Sequence, residues 1–421
     1  MEYEITQPRS DVPLPTNYKR LVGRRTGIIK KLYQEFNSRG EPEFYAVSPS
    51  DTDEAYLLGV DRDITYNAGG KGSSIADALT SAVGELAERY SLSWIKESQI
   101  TNDSYTGLVE SGKDVVDFSY LRGFIDPNRE AEDVGRDTSF NWTEMMDTVT
   151  GDLVMCPADM VWSTYELDEQ YFVSTTSGAA AGPTVEHAVL NGLYEYIERD
   201  AFMTDWCRRR VPDRIDHRRY PELREAIEEF DVPEGIEVHF LELNQSVENV
   251  HCIAVSLVND EGVPKFGISA DASVSMLDAA RSALLEALQT WIYNKRYMDK
   301  ELDYSHGDDL ALHDNLILYS KPERFDKVEF LLAGEETDAD FGHDSSISKK
   351  EELELVLEGL ENSGYRALVK EVTTRDVEDI GINVVRTVVP QLLPLTTPSS
   401  PPKNHPKLDG VDVNPHPHPF P

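Results

Sequence analysis

The sequence predicts an α/β protein, mixed β-sheets covered by helices and followed by an extended proline-rich C-terminal tail. Three observations carry this. Small-residue loops lead three times into segments whose apolar residues recur at three and four positions, the period of a helix face. Between these lie β-branched or alternating stretches. From Pro390 to Pro421 the prolines are too dense for helix or central strand.

Taken in order, residues 1–18 read as a polar extended arm, and "RLVGRRTGIIKKLYQEF" as a strand or short hairpin with basic residues. The first helix follows the loop "NAGGKGSS". Its Ile75, Leu79, Ala82, Leu86 and Tyr90 share a face, and Ser74 with Asp77 forms a slightly weakened capping box. The second follows a Gly/Ala loop through Pro183 and Thr184, with Ala188, Leu193, Ile197 and Ala201 on its apolar side. The third, "SVSMLDAARSALLEALQTWIYNKRY", opens on Ser275 and Asp278 in another capping box. "IEVHFLEL", "VHCIAVSLVN" and "PKFGISAD" read as strands. Residues 335–347 form an acidic surface loop, and "KKEELELVLEGLENSGY" an amphipathic helix ending at Gly364. No strong linker precedes Pro390, so residues 19–395 are expected as one domain and 396–421 as the tail.

The 421 residues, 40% of them hydrophobic, suffice for a sizeable core. A net charge of -37, from 77 acidic against 40 basic residues, argues against nucleic-acid or anionic-membrane partners. It suits a halophilic cytoplasm, where salt screens self-repulsion. Cys156, Cys207 and Cys252 are far apart and suggest neither a disulfide framework nor a thiolate metal site. No signal peptide or membrane span is expected, so the chain reads as cytoplasmic.

The chemistry lies in paired acids. Glu85 with Glu88, Glu195 with Glu198, and Glu286 with Gln289 each stand three apart on a helix, giving two-pronged oxygen sets that suit Mg2+, while loop amides and helix N-termini suit phosphates. In so acidic a chain a lone ExxE is most often a solvated face. Three in matching contexts weigh against that, because Ala82, Val83, Gly84, Leu86 and Ala87 leave little polar surface around Glu85 and Glu88. "AGGKGSS" is neither a Walker A nor a dinucleotide fingerprint, and its glycines mark a tight turn as readily as a phosphate cradle. Hydrolase and zincin motifs are absent. His416 and His418 fit the tail's conformation better than a metal site.

"GGKGSSIADALTSAVGELAERYS", "SGAAAGPTVEHAVLNGLYEYIERDAF" and "AARSALLEALQ" together resemble the YcaO superfamily from about residue 18 onward. The resemblance implies a YcaO-type fold with ATP and Mg2+ as cofactors. It implies Glu85, Glu88, Glu195, Glu198 and Glu286 as metal ligands, and Lys19, Thr26, Lys71, Ser73, Asn191, Arg281 and Gln289 as nucleotide contacts. Arg281 is also the cation expected to neutralise the transferring phosphate. The ending "PHPHPFP" is similar to that of azoline-forming cyclodehydratases, or D proteins, whose C-terminal PxPxP motif lies beside the active site; this makes Pro417, Pro419 and Pro421 functional, with the Pro421 carboxylate a candidate base. The implied reaction phosphorylates a peptide backbone amide and forms thiazoline or oxazoline rings from Cys, Ser or Thr of a ribosomally made precursor peptide.

The implied partners are that precursor peptide, a separate leader-binding protein resembling a ubiquitin-activating fold, and optionally a flavin dehydrogenase. A fused leader-binding domain is not expected in front of so short an arm, and homodimers are the common default. Two alternatives stay open: a thioamide-forming YcaO enzyme with a TfuA-type partner, and a non-catalytic nucleotide-binding accessory protein.

Overall fold

The computed structural model describes residues 3–5, 12–23, 27–38, 41–42, 44–51, 68–127, 129, 131–163, 169–260, 262–299, 314–341, 347–397 and 400–421. The chain runs through β1 (Tyr3–Ile5), β2 (Ile29–Glu35), β3 (Tyr45–Asp51) and β4 (Gly70–Gly72) into helix α1 (Ile75–Leu92). It continues through β5 (Thr101–Ser104), β6 (Asp114–Val115), β7 (Ser139–Asp147), β8 (Leu153–Pro157) and β9 (Ala179–Gly182) into α2 (Val185–Arg208). Then follow β10 (Asp213–Ile215), α3 (Pro221–Glu229), β11 (Ile236–Glu242), β12 (His251–Asn259), β13 (Phe266–Ser273) and α4 (Met276–Tyr297). Last come α5 (Asp314–Tyr319), β14 (Glu336–Thr337), α6 (Lys349–Asn362), β15 (Leu368–Glu371) and β16 (Asn383–Val388), besides short helical turns.

Among the described residues the strands form three sheets. One is antiparallel in the order β1-β2-β3-β4; a second runs β13-β12-β11-β10-β14; the third runs β6-β8-β7-β15-β16-β9, with β5 also paired to β7. Strand β12 is buried almost throughout because both its faces are covered. Cys252, Ala254 and Val258 join the core shared with α2, whereas Ile253, Val255 and Leu257 join a core with α3 and α4. Ala279, Ala280, Ala283 and Ala287 of α4 are fully buried in that second core, small side chains that permit close packing.

The two small-residue loops are in part strands. β4 pairs with β3, and β9 with β16, each by antiparallel register. Each then enters its helix after two residues, and the hydroxyls of Ser74 and Thr184 accept the backbone N–H of Asp77 and His187. Ser275 caps α4 in the same way. The Asp77 carboxylate accepts the Ser74 hydroxyl, and a full reciprocal box forms at Ser348 and Glu351 of α6. Within residues 335–347, β14 occupies Glu336–Thr337, and 342–346 lie outside the described residues.

Gly70 is glycine for a packing reason. A Cβ there would lie 2.0 Å from the Ala78 carbonyl oxygen and 2.2 Å from the Ala82 nitrogen, backbone atoms that cannot turn aside. Gly70→Ala is therefore expected to force β4 off α1 and cost about 3 kcal/mol, the upper range for overpacking, read as a lowered urea midpoint at unchanged m-value. Among the described residues, no helix is long and apolar enough to cross a membrane.

Candidate active site

The three strand-to-helix units converge on one another. On α1, Glu85 accepts the backbone N–H of Gly69 at 3.0 Å and meets Arg89 at 3.1 Å; Arg89 also reaches Glu88 at 2.5 Å. On α2 the same plan recurs: Glu195 accepts the Gly178 N–H at 2.6 Å and meets Arg199 at 2.7 Å. The α1 and α2 carboxylates face one another closely enough that Glu195 raises the Glu88 proton affinity. Lys71 of β4 reaches Glu286 of α4 at 3.0 Å, tying the first unit to the third.

These acids are crowded together away from water. Burial, with Glu195 and Glu85 nearby, pushes the Glu88 carboxyl up to about 8, against the pull of Arg89 and Arg199. Glu198 lies well above the ordinary carboxylate range through enclosure away from water, Asp271 and Glu286. Asp271, near the end of β13, is pushed up to about 7, first by enclosure and then by Glu286. Such crowded oxygens suit a hard divalent cation. Among the described residues no three His, Cys, Asp or Glu side chains form a cage for one ion by themselves.

Four residues here were not singled out from the sequence. Asp271 carries no local signal. Arg89 and Arg199 had one, since "ELAER" and "EYIER" place an arginine directly after each ExxE and four residues from its first glutamate. Arg386 of β16 is the fourth: its Nε donates to the Met160 carbonyl at 2.9 Å, and burial pulls its guanidinium below the usual value, with Tyr196, Glu195 and Glu88 only partly opposing that.

The remaining sequence candidates are more scattered. Asn191 lies on α2, its amide 3.4 Å from the His187 ring; Gln289 is half-buried on α4, and Ser73 is exposed beside the α1 cap. Lys19 sits in the helical turn Tyr18–Leu21, and Thr26 lies outside the described residues. Arg281 pairs with Glu229 of α3, so it is engaged away from the clustered acids.

The tail is ordered and docked. Pro417, His418, Pro419 and Phe420 are buried, and Pro421 partly so. It runs back along α2: Asn414 donates its N–H to the Cys207 carbonyl, Trp206 donates to the His416 carbonyl at 3.1 Å, and the Phe420 ring lies 4.4 Å from that of Phe202. From α5, Tyr319 donates to the Pro417 carbonyl at 2.6 Å and Asn315 to those of His418 and Phe420 at 2.9 and 2.8 Å. Phe202 is one turn, about 6 Å, beyond Glu198, so the chain end approaches the acids.

Burial pushes His418 down to about 4, and its ring bonds the Thr396 carbonyl at 3.0 Å. As pH falls below the ordinary histidine value near 6.5, the unfolded chain takes up a proton that the docked ring refuses, so stability is full above that pH and lost down to about 4. The loss should reach roughly 3 kcal/mol. His418→Gln is expected to flatten this part of the stability–pH curve, measured by urea unfolding.

A family model described as YcaO cyclodehydratase, ATP- and Mg2+-binding, matches residues 69–393. An uncharacterized protein of Methanothermobacter thermautotrophicus is 26% identical over 369 residues, covering 84% of this chain and 86% of its own. Among solved structures, a heterocyclase in complex with substrate and cofactor superposes with a TM-score of 0.72 at 18% identity. It covers 99% of this chain, which spans only 59% of the heterocyclase. YcaO from Methanopyrus kandleri bound with AMPPCP and Mg2+ gives 0.62 at 21% identity, over 87% of this chain and 89% of that one. The E. coli microcin synthetase McbBCD complex with pro-MccB17 bound gives 0.66 at 12%, over 94% and 98%. These likenesses establish the fold, and the family match extends through every clustered acid from Glu85 to Glu286 and on to Arg386. The chain belongs to the YcaO family of ATP- and Mg2+-binding cyclodehydratases.

Proposed function

We propose that this protein is an ATP- and Mg2+-dependent cyclodehydratase that forms azoline rings in a ribosomally made precursor peptide. The observation carrying this reading is the course of the tail: a "PHPHPFP" ending buried along the same helix that bears Glu195 and Glu198.

In the proposed reaction a Cys thiol, or a Ser or Thr hydroxyl, loses its proton and attacks the preceding backbone carbonyl carbon, closing the ring; that carbonyl oxygen must then depart, with the amide N–H proton also lost, to leave the azoline C=N bond. Bound Mg-ATP supplies the phosphoryl group with which that oxygen leaves as phosphate. Glu85, Glu88, Glu195, Glu198 and Glu286, joined by Asp271, would hold the metal. Arg199 and Arg386 would offset the negative charge gathered there, while Lys71 keeps Glu286 turned toward β4. The stiff tail would bring the Pro421 carboxylate to the reacting peptide as the base for the thiol proton. A separate leader-binding protein would deliver the peptide, and a flavin dehydrogenase would oxidise azolines where azoles are the product.

The test is intact mass of a Cys/Ser/Thr-containing precursor incubated in high-salt buffer with this protein, Mg-ATP and its leader-binding partner. Stepwise loss of water is expected. A mass gain from oxygen replaced by sulfur would assign thioamide formation instead, and unchanged peptide with ATP bound would assign a nucleotide-binding accessory role.

A further inference from the structure

The tail is fixed to α2 by an ion pair outside the cluster of acids. Lys407 stands in the helical turn Pro406–Leu408, ahead of the buried "PHPHPFP" segment. Its ammonium lies 2.6 Å from both carboxylate oxygens of Asp200 and 3.2 Å from the Ser246 hydroxyl. Asp200 has no exposed surface, and it also accepts the Leu393 N–H at 2.7 Å and the Ser246 hydroxyl at 2.5 Å. A second tie lies two turns along, where Arg208 donates to the Lys407 carbonyl at 2.5 Å.

Asp200 follows Glu198 by two residues on the same helix. Asp200, Phe202, Trp206 and Arg208 hold the tail while Glu195 and Glu198 stand just before them, so one rigid rod sets the distance between acids and chain end. A charge pair in so buried a place is a poor source of stability, because its desolvation consumes most of the attraction, whereas it fixes one geometry and rejects others.

We infer that Asp200 and Lys407 are positioning residues, a latch that sets the register of the C-terminal tail against α2. The inference rests on the cyclodehydratase reading for its catalytic consequence, and on geometry alone for the latch. With the latch open, the tail loses its charged anchor upstream of Asn414, and the Arg208 bond to the Lys407 carbonyl, the contacts with Trp206 and Phe202 and the α5 donors Tyr319 and Asn315 must hold it without that anchor.

The experiment compares the full-length parent with Lys407→Met and with the double variant Asp200→Asn/Lys407→Met. Each is read three ways: by melting temperature, by hydrogen exchange over residues 409–421, and by kcat and KM for ATP in peptide dehydration. Lys407→Met leaves Asp200 buried and unpaired and should lower the melting temperature. The double variant removes that stranded charge and should recover most of the loss. Its tail should nonetheless exchange faster than the parent's, and kcat should fall by between about ten- and a hundred-fold with KM for ATP unchanged. A double variant that regains tail protection and kcat along with its melting temperature overturns the inference, since the pair would then serve only the fold. Should the parent itself show no water loss, the cyclodehydratase reading fails, and tail exchange in the same variants still decides the latch.

Discussion

Glu198→Gln should lower ATP-dependent peptide dehydration by at least about a hundred-fold, the scale for losing one preorganised charge contact in a closed site, while stabilising the nucleotide-free protein. Both effects have one origin. The Glu198 carboxyl faces Asp271, Glu286 and Glu195 in an enclosed setting, and Arg199 opposes them. Three like charges near one buried oxygen pair are unfavourable until a divalent cation arrives; glutamine keeps the size and removes the charge, and with it the reason for the cation to bind. Glu88 gives the sign of the pH dependence. Its carboxyl is pushed up to about 8, so between the ordinary carboxylate value near 4.5 and that pH the unfolded chain has released a proton the folded chain still holds. Stability must fall as pH rises through this window, and in Glu88→Gln this part of the slope disappears. The check is thermal denaturation with and without Mg-ATP beside the dehydration rate. A variant that keeps the parent's Mg-ATP shift and rate would remove Glu198 from the site.

What was legible in the sequence follows the range of the interactions concerned. Helices α1, α2 and α4 and their Ser74, Thr184 and Ser275 caps were readable because period and capping are local. β4 and β9 read as loops because "GKG" and "AAAG" have no alternation; their strand character comes from pairing with β3 and β16, the latter about two hundred residues further along the chain. The glutamate pairs were legible through spacing and context, and so were Arg89 and Arg199, had the residue after each ExxE been weighed. Asp271 and Arg386 enter the cluster only through the fold that brings β13 and β16 to α2. Arg281 shows the converse: it lies on the right helix, but five residues from Glu286 it points elsewhere, and α3 supplies Glu229 as its partner. Composition alone gave the tail as an extended segment, without the α5 donors Tyr319 and Asn315 that make it part of the interior.

Removing residues 415–421 should abolish dehydration, by more than about a hundred-fold on the scale for lost positioning, while leaving the Mg-ATP thermal shift in place. The clustered acids all lie outside the deleted segment, so nucleotide binding has no reason to fail with it. Truncation does uncover the Phe202 ring and strands the donors of Trp206, Asn315 and Tyr319, each of which now meets a tail carbonyl. The shortened protein must therefore melt lower, and the rate comparison belongs well below its midpoint. Phe420→Ala separates packing from chemistry. It empties the contact with Phe202 at a cost of about 3 kcal/mol, yet leaves the proline backbone and its carbonyl acceptors, so its rate should fall much less than that of the truncation. If the truncated chain loses the Mg-ATP shift together with turnover, the tail braces the nucleotide site and does no more; if it dehydrates peptide at the parent's rate, the tail lies beside the site without serving it. Only retained nucleotide binding with lost ring formation places the end of the chain in the chemistry, because the stiff segment then contributes what the metal and the acids do not: a fixed position for the peptide's reacting atoms.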